Sequence, residues 1–152
     1  MNEKAIELAV QLCIHFEGFS ATPYLCPAGY WTIGYGTVYK PDGSRVTKDH
    51  PTISKALALE WLRHEIENNY MPAVLAATPN LIKYPQLLGA MTDFAYNLGG
   101  PRYRASTLAR RINEESWIEA RRQLLLWTRG GGQVLPGLVL RRQSEAKFFP
   151  VT

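Results

Sequence analysis

Three side chains near the N-terminus, Glu17, Cys26 and Thr32, carry a carboxyl, a thiol and a hydroxyl group. A carboxylic acid can protonate a leaving oxygen, a thiolate can act as a base or a nucleophile, and a hydroxyl group can hold a water molecule. Because all three lie between positions 17 and 32, one helix end and one strand can bring them together. The segment therefore has the groups that hydrolytic chemistry requires.

Glu17 continues an otherwise apolar stripe. The stripe has helical spacing and is formed by Ile6, Ala9, Val10 and Cys13. Gly18 then supplies a stop signal, so a helix ends at Glu17 and points its carboxyl group inward or into a cleft. Loss of water there favours the neutral acid, the form that can protonate a leaving oxygen. A solvated glutamate at a frayed helix end is the alternative.

Thr32 lies in the segment YWTIGYGTVY, residues 30–39, which is rich in aromatic and β-branched residues. This composition, followed by the turn-like KPDGS, predicts a strand and hairpin. Thr32 shares one strand face with Gly34 and Gly36, which leaves that side of the sheet bare, so a ligand or backbone can approach closely and the hydroxyl can position a water. Alternatively, the threonine is there for its β propensity and the glycines for bending.

Cys26 precedes Pro27, which favours extended backbone in a loop between the helix and the strand. A thiol exposed in such a loop has no packing role and invites oxidation. A partly buried cysteine that behaves as a small apolar residue is the alternative.

The segment EGFSATPYLCPAGYWTIGYGT strongly resembles the phage-type lysozymes of glycoside hydrolase family 24. In that family a Glu is followed, after eight residues, by Asp or Cys and, after five more, by Thr. Glu17, Cys26 and Thr32 meet both spacings. The blocks FAYNLGG (94–100), STLARRIN (106–113) and WTRGGGQVLPGLVLRRQSE (127–145) are similar to downstream blocks of the same family, in the same order. The weakest part of the match is roughly 40–85.

The resemblance implies a lysozyme-like α+β fold formed by a single domain, residues 1–152. We expect a small β-hairpin lobe over about 18–50 and a larger helical lobe made of 1–17 and about 70–152. A long helix over about 54–70 joins the lobes, and the substrate cleft lies between them.

The resemblance also implies an activity. Family members hydrolyse the β-1,4 bond between N-acetylmuramic acid and N-acetylglucosamine in peptidoglycan, and those characterised invert the anomeric centre. Carried over, Glu17 is the general acid, Thr32 holds the attacking water, and Cys26 is the base or charge stabiliser on the opposite face of the sugar. The protein is then expected to be an endolysin muramidase that lyses the host cell.

Cysteine replaces aspartate at position 26, as it does in a subset of the family. A thiol with a pKa of about 8.5 is only a few per cent ionised at pH 7, and an ionised Glu17 nearby lowers that fraction. Either a minority thiolate acts as base, or the thiol attacks as a nucleophile and the reaction retains the anomeric configuration. We favour the base, because Thr32 is redundant if no water is activated in the first step.

Other residues are candidates for smaller roles. Asn97, at the end of an apolar helix, can hydrogen-bond an acetamido group of the sugar or simply cap the helix. Tyr35 can contact substrate in the cleft or belong to the core. Arg141 and Arg142 can pair with Glu17, but we expect them on a solvated helix face.

No metal or other cofactor is expected, because His15, His50 and His64 show no ligand spacing. Cys13 and Cys26 can be imagined as a disulfide that silences the enzyme. We expect two free thiols instead, with Cys13 in the core.

Two regions downstream, 59–70 and 87–98, show apolar stripes at helical spacing, and Pro72 need not end the first. Three further helix starts are predicted: Ser106, Ser116 with Glu119 as a capping box, and Pro136. Gly130–Gly132 are expected to break the chain between the last two helices. No strand is predicted after residue 50.

The formal net charge of +4 and the pI of about 9.2 suit an anionic partner. The basic residues form no long stripe interleaved with aromatics, so nucleic acid is not expected, and no stretch is apolar enough for stable membrane insertion or export. We expect a monomer that accumulates in the host cytoplasm, needs a holin to reach the wall, and acts on peptidoglycan strands. A catalytically inactive glycan-binding relative and a basic membrane-disrupting or nucleic-acid-binding protein are the competing interpretations.

Overall fold

The first helix, α1, spans Glu3–Glu17 and ends at the predicted acid. A computed structural model describes residues 2–150. In it, α1 buries the predicted apolar face, and Gly18 follows with a φ of 71°, a value that favours glycine. The predicted helix and its stop signal are confirmed.

A β-hairpin follows α1. Strand β1 (Ser20–Leu25) pairs antiparallel with β2 (Trp31–Gly34), and Tyr24 lies opposite Thr32. The sequence predicted β2 but missed β1, which carries Pro23. Proline is tolerated there because each strand of a two-stranded sheet is an edge strand.

The predicted turn in KPDGS is present, although it is not the turn between the two strands. The amide of Gly43 donates to the Lys40 carbonyl at 2.9 Å, and Tyr39 bridges to Arg45. The β1–β2 turn lies over residues 26–30 instead, where the Cys26 amide donates to the Tyr30 carbonyl at 3.0 Å. Cys26 is therefore a turn residue of the hairpin.

A long helical rod carries the chain away from the hairpin. It consists of α2 (Lys55–Glu65), a π-helical turn (Ile66–Tyr70) and α3 (Met71–Ala77), and Pro72 falls in the first turn of α3 without ending the rod. The predicted helix over about 54–70 is confirmed. The predicted apolar stripe on this helix includes Leu59, and that part of the prediction is wrong because Leu59 is 40% exposed.

Helix α4 (Pro85–Leu98) is the central helix of the molecule. Residues 87–95 are all buried, and the helix packs along α1. It ends at Gly99, which has a φ of 98°, as predicted from its glycine. A helix that is buried all round has no solvated face, so the buried Asp93 on it requires a partner.

Three shorter helices follow: α5 (Gly100–Ala105), α6 (Thr107–Asn113) and α7 (Trp117–Leu125). Helix α5 was missed because Gly99-Gly100-Pro101 indicates a break, yet Pro101 fits its first turn.

The two predicted helix caps of this region have different outcomes. Ser106 caps α6 as predicted, by accepting from the Ala109 amide at 3.0 Å. The capping box at Ser116 is wrong. Its side chain makes no cap bond to α7, and Glu119 pairs with Arg122 instead.

The glycine run does more than break the chain. Gly131 and Gly132, with φ of 58° and 80°, form the turn of a second short hairpin, β3 (Arg129–Gly130) with β4 (Gln133–Val134). The expectation of no later strand is therefore wrong. Helix α8 (Pro136–Ala146) then begins at proline as predicted.

One hydrophobic cluster joins these elements. It takes most of its residues from the helices and includes Ile33, Val46 and Ile53 from the hairpin side. Between residues 2 and 150, no helix is both long enough and apolar enough to span a membrane.

Candidate active site

Glu17 is held from behind by a buried arginine. Its Oε2 atom accepts a hydrogen bond from Nη1 of Arg141 at 2.7 Å. Both carboxylate oxygens of Asp93 accept from the same guanidinium, Oδ2 from Nε at 2.9 Å and Oδ1 from Nη2 at 2.7 Å. Arg141 is only 4% exposed, so the expected solvated helix face is wrong. The guanidinium pairs with the acid because α8 packs on α4 beside the end of α1.

The backbone after β2 lies directly against the Glu17 carboxyl group. A Cβ atom on Gly36 would stand 3.1 Å from Oε1 of Glu17 and 3.3 Å from the Tyr96 hydroxyl oxygen. Gly36 also has a φ of 92°, which favours glycine. At Gly34 a Cβ atom would stand 3.1 Å from that of Ala58 in α2. These glycines allow the close approach that was predicted, and the atoms that approach them belong to the protein.

Thr32 is buried, with 3% of its surface exposed, and faces the hairpin turn. Its Oγ1 atom lies 2.9 Å from the Tyr30 carbonyl oxygen, and it also lies close enough to hydrogen-bond the Cys26 thiol. A hydroxyl has one proton, so it can donate to either acceptor while its lone pairs accept from a water.

The hairpin turn surrounds the Cys26 thiol with backbone amides. The pKa of Cys26 is lowered chiefly by a hydrogen bond from the Tyr30 amide, against an opposing effect of burial. The amides of Ala28 and Gly29 and the Thr32 hydroxyl add to the lowering. The thiol therefore ionises more readily than a free cysteine does. This is opposite to the effect that was expected from an ionised Glu17 nearby.

Tyr24 lies close to both candidate catalytic groups, and the sequence analysis missed it. It lies opposite Thr32 across the hairpin and is 38% exposed. The pKa of its phenol is raised by burial and then by the negative charges of Glu17 and Cys26, so both groups lie near the ring. Its position two residues before Cys26 would have placed it on the same strand face, but β1 itself was not predicted.

Asn97 opens into the same cavity as Glu17. This cavity has a volume of about 430 Å³ and is lined by Phe16, Glu17, Asn97, Leu135, Gly137, Leu138 and Arg141. The Asn97 side chain accepts from Nη2 of Arg142 at 2.9 Å. Arg142 is fully buried, so the solvated face expected for it is also wrong.

Tyr35 is 8% exposed and packs against the Phe19 ring, with 5.6 Å between the ring centroids. Its carbonyl oxygen accepts from the Tyr96 hydroxyl at 2.7 Å. This burial favours the core alternative, and a contact between Tyr35 and substrate stays a prediction.

Cys13 lies in the core behind Glu17. Its thiol donates to Oδ1 of Asp93 at 3.3 Å, and burial followed by the Asp93 charge raises its pKa well above the ordinary value. Cys13 and Cys26 are both free thiols, as expected. In the part of the chain that the structure describes, no cluster of His, Cys, Asp and Glu can hold a metal ion.

Comparisons with known proteins identify the family to which this chain is similar. The family whose description is Phage lysozyme matches residues 14–145. The SAR-endolysin of Bacteriophage PS119 is 44% identical over 129 residues, which cover 85% of this chain and 73% of that relative.

Two solved structures have a similar fold. One is the endolysin from Escherichia coli O157:H7 phage FAHEc1, with a TM-score of 0.78 and 26% identity over 93% of this chain and 89% of that one. The other is the muramidase domain of SpmX from Asticaccaulis excentricus, with a TM-score of 0.76 and 26% identity over 95% of each chain. The predicted lysozyme-like α+β fold is thereby confirmed.

Proposed function

This chain belongs to the phage lysozyme family, and we propose that it is an endolysin muramidase that hydrolyses the β-1,4 bond between N-acetylmuramic acid and N-acetylglucosamine. The observation that carries the proposal is the pair of reactive groups near Tyr24: the carboxyl of Glu17 and the thiol of Cys26, whose pKa is lowered. Glycoside hydrolysis requires an acid that protonates the leaving oxygen and a second group that acts as base or nucleophile.

In the proposed mechanism Glu17 protonates the leaving glycosidic oxygen. Because Arg141 donates to Oε2, Oε1 is the oxygen left to carry the proton. Arg141 and Asp93 fix the orientation of the carboxyl group, since two hydrogen bonds join the guanidinium to the Asp93 side chain.

Cys26 and Thr32 act on the other reactant. The Cys26 thiolate takes a proton from a water held by the Thr32 hydroxyl, and the resulting hydroxide bonds to the anomeric carbon as the bond to the leaving oxygen breaks. A lowered thiol pKa supports this base role, because it increases the thiolate fraction near neutral pH. Direct attack by the thiolate on the anomeric carbon is the alternative, and it retains the configuration.

Lysis of permeabilised Gram-negative cells, followed by turbidity, tests the activity with Glu17→Gln as the matched control. Glutamine keeps the acceptor for Arg141 but has no acidic proton, so we expect a loss of about 100-fold or more. Unimpaired lysis by Glu17→Gln would favour a membrane-disrupting protein. Binding to glycan strands without any lysis would favour a catalytically inactive relative.

The anomer of the first product, observed by NMR, tests the role of Cys26. A β-linked substrate gives the α-anomer when water attacks directly, and the β-anomer when a thioglycosyl intermediate forms first. We expect the α-anomer from the native protein and from Cys26→Asp, and little product from Cys26→Ser. A β-anomer from the native protein would establish the nucleophile alternative.

We further propose a monomer that accumulates in the host cytoplasm and reaches the wall after a holin opens the membrane. The SAR-endolysin relatives favour a competing route, secretion to the periplasm. Expression alone should leave cells intact until chloroform is added, whereas spontaneous lysis would establish the competing route. Size-exclusion chromatography checks the monomer.

A further inference from the structure

Arg142 is a buried charge that the proposed mechanism does not use. It is fully buried in α8, with its guanidinium 4.9 Å from the centre of the Phe94 ring. Its Nη2 atom donates to Oε2 of Glu145 at 3.0 Å and to Oδ1 of Asn97 at 2.9 Å. A buried guanidinium is costly unless its donors are matched, and Asn97 is the partner that opens into the cavity beside Glu17.

The contact with Arg142 fixes which way the Asn97 amide faces. A guanidinium has donors and no acceptor, so the amide atom beside it must be the oxygen. The amide nitrogen then lies on the other side of the planar group. Among residues 2–150 it makes no hydrogen bond to protein, so both of its N–H donors are available to a ligand in the cavity.

The lining of the cavity indicates which ligand group these donors meet. Phe16, Leu135 and Leu138 supply apolar surface to the cavity that contains Asn97. A group that offers both a carbonyl acceptor and a methyl fits this combination, whereas a sugar hydroxyl offers only the acceptor. The acetamido group of an N-acetylated sugar has both.

We infer that Arg142 is a positioning residue that holds the Asn97 amide so that its N–H groups bind the acetamido carbonyl of an N-acetylated sugar. The inference rests on the proposed function, because it concerns the substrate of that same site. It makes recognition of the acetyl group depend on a residue that never touches substrate.

The test measures kcat and KM on glycan strands before and after chemical removal of N-acetyl groups, with re-acetylated strands as the control for damage. The native protein should lose about tenfold in kcat/KM on the deacetylated strands, mostly through KM. On acetylated strands, Asn97→Ala should have a kcat/KM about tenfold below that of the native protein. Removal of the acetyl groups should not lower the kcat/KM of this variant any further. Asn97→Asp should behave in the same way, because a carboxylate still accepts from Arg142 but donates nothing.

Arg142 is tested by the same readout. Arg142→Met should raise KM on acetylated strands and abolish the difference between the two substrates, whereas Arg142→Lys, which keeps a donor and the charge, should recover part of it. If Arg142→Met does not fold, the Asn97→Asp and Arg142→Lys results still decide the question.

Two outcomes would overturn the inference. The first is that removal of the acetyl groups lowers kcat/KM by the same factor in the native protein and in the Asn97 variants, which means that the acetyl group is bound elsewhere. The second is a fall in kcat with unchanged KM in those variants. In both cases the native protein still cleaves acetylated strands, and the proposed function stands. A native protein that cleaves neither substrate would overturn the function and the inference together.

Discussion

The two reactive groups of the site lie in surroundings of opposite kind. One is an exposed wall, the β1–β2 turn over residues 26–30, and the other is a buried wall, the charged side chains that hold Glu17. Cys26 lies in an exposed turn, where its thiol pKa is lowered by backbone amides within four residues. Glu17 is held by Arg141 and Asp93, buried side chains that lie far from it in the sequence. One wall depends on local backbone geometry, and the other depends on charges brought together by folding.

The buried wall contains a carboxyl group whose pKa is raised, that of Glu145. It contains the carboxyl groups of Glu17, Asp93 and Glu145 and the guanidinium groups of Arg141 and Arg142. Burial, followed by hydrogen bonding to Asp93, raises the pKa of Glu145 well above its ordinary value. Although burial opposes it, hydrogen bonding with Glu145 and Arg141 lowers the pKa of Asp93. A proton on Glu145 removes one negative charge from this buried network and lets its carboxyl group donate to the Asp93 carboxylate.

The largest expected effect comes from breaking the buried wall. Arg141→Met leaves Asp93 buried without its main partner, which should lower the free energy of unfolding by about 3–5 kcal/mol. Denaturation in urea measures this. Arg45→Met is the matched control on the exposed wall, where the guanidinium stacks on Tyr30 at 5.2 Å, and we expect a loss of at most about 1 kcal/mol. Equal losses would show that the two walls do not differ in this way.

The second-largest effect is expected at Gly36, where the backbone after β2 contacts the Glu17 carboxyl group. Gly36→Ala places a methyl group 3.1 Å from Oε1 of Glu17 at a φ of 92°, and it should cost about 1–3 kcal/mol and much of the activity. Gly43→Ala has a similar φ of 88°, but nothing lies within 4 Å of the added carbon. The difference between the two variants in urea unfolding and in lysis therefore isolates the contact with the carboxyl group. Identical behaviour would mean that only backbone strain matters.

The exposed wall could be predicted from the sequence, because its determinants are local. The spacing between Cys26 and Thr32 matches the family motif, and the composition of β2 predicts a strand there, without knowledge of the rest of the fold. The buried wall could not be predicted in the same way. Arg141 and Arg142 are buried only because α8 packs against α4, and no helical period indicates that a charged pair faces inward.

The two missed hairpin elements have a similar explanation. Strand β1 is short, carries Pro23 and has no alternating apolar pattern, so only its pairing with β2 makes it a strand. The β3–β4 pair has two residues in each strand, and its signal is the turn formed by Gly131 and Gly132. The run Gly130–Gly132 is expected from the sequence to break the chain, but such glycines also favour a tight hairpin turn.

A smaller effect distinguishes the two thiols, one in each wall. Cys26 should react with iodoacetamide with an apparent pKa below that of a free cysteine, about 8.5, because the turn amides stabilise its thiolate. Cys13 is fully buried and its pKa is raised, so it should stay unmodified in the folded protein. Mass spectrometry of labelled peptides over a pH series measures both, and labelling in urea provides the control. Faster labelling of Cys13, or an ordinary pKa for Cys26, would contradict the contrast.

The smallest expected effect, near-zero at acidic pH, tests the proton in the buried wall. Because the pKa of Glu145 is raised on folding, its contribution to stability is complete below the unfolded value, about 4.3, and is lost as pH rises through the folded value. Glu145→Gln imitates the neutral acid, since its amide can donate to Asp93 and accept from Arg142. The variant should match the native protein within about 1 kcal/mol at low pH and lose less stability as pH rises.

Urea unfolding of both proteins across pH measures this difference. The opposite contribution of Asp93, which is lost as pH falls, is expected in both proteins, because the glutamine amide can still donate to Asp93. Glu119→Gln, at an exposed pair with Arg122, is the matched control and should give a curve parallel to the native one. If the Glu145→Gln curve is also parallel, Glu145 is ionised in the folded protein. The buried wall then lacks the proton that Glu145 and Asp93 are expected to share, and its contrast with the exposed wall must rest on packing.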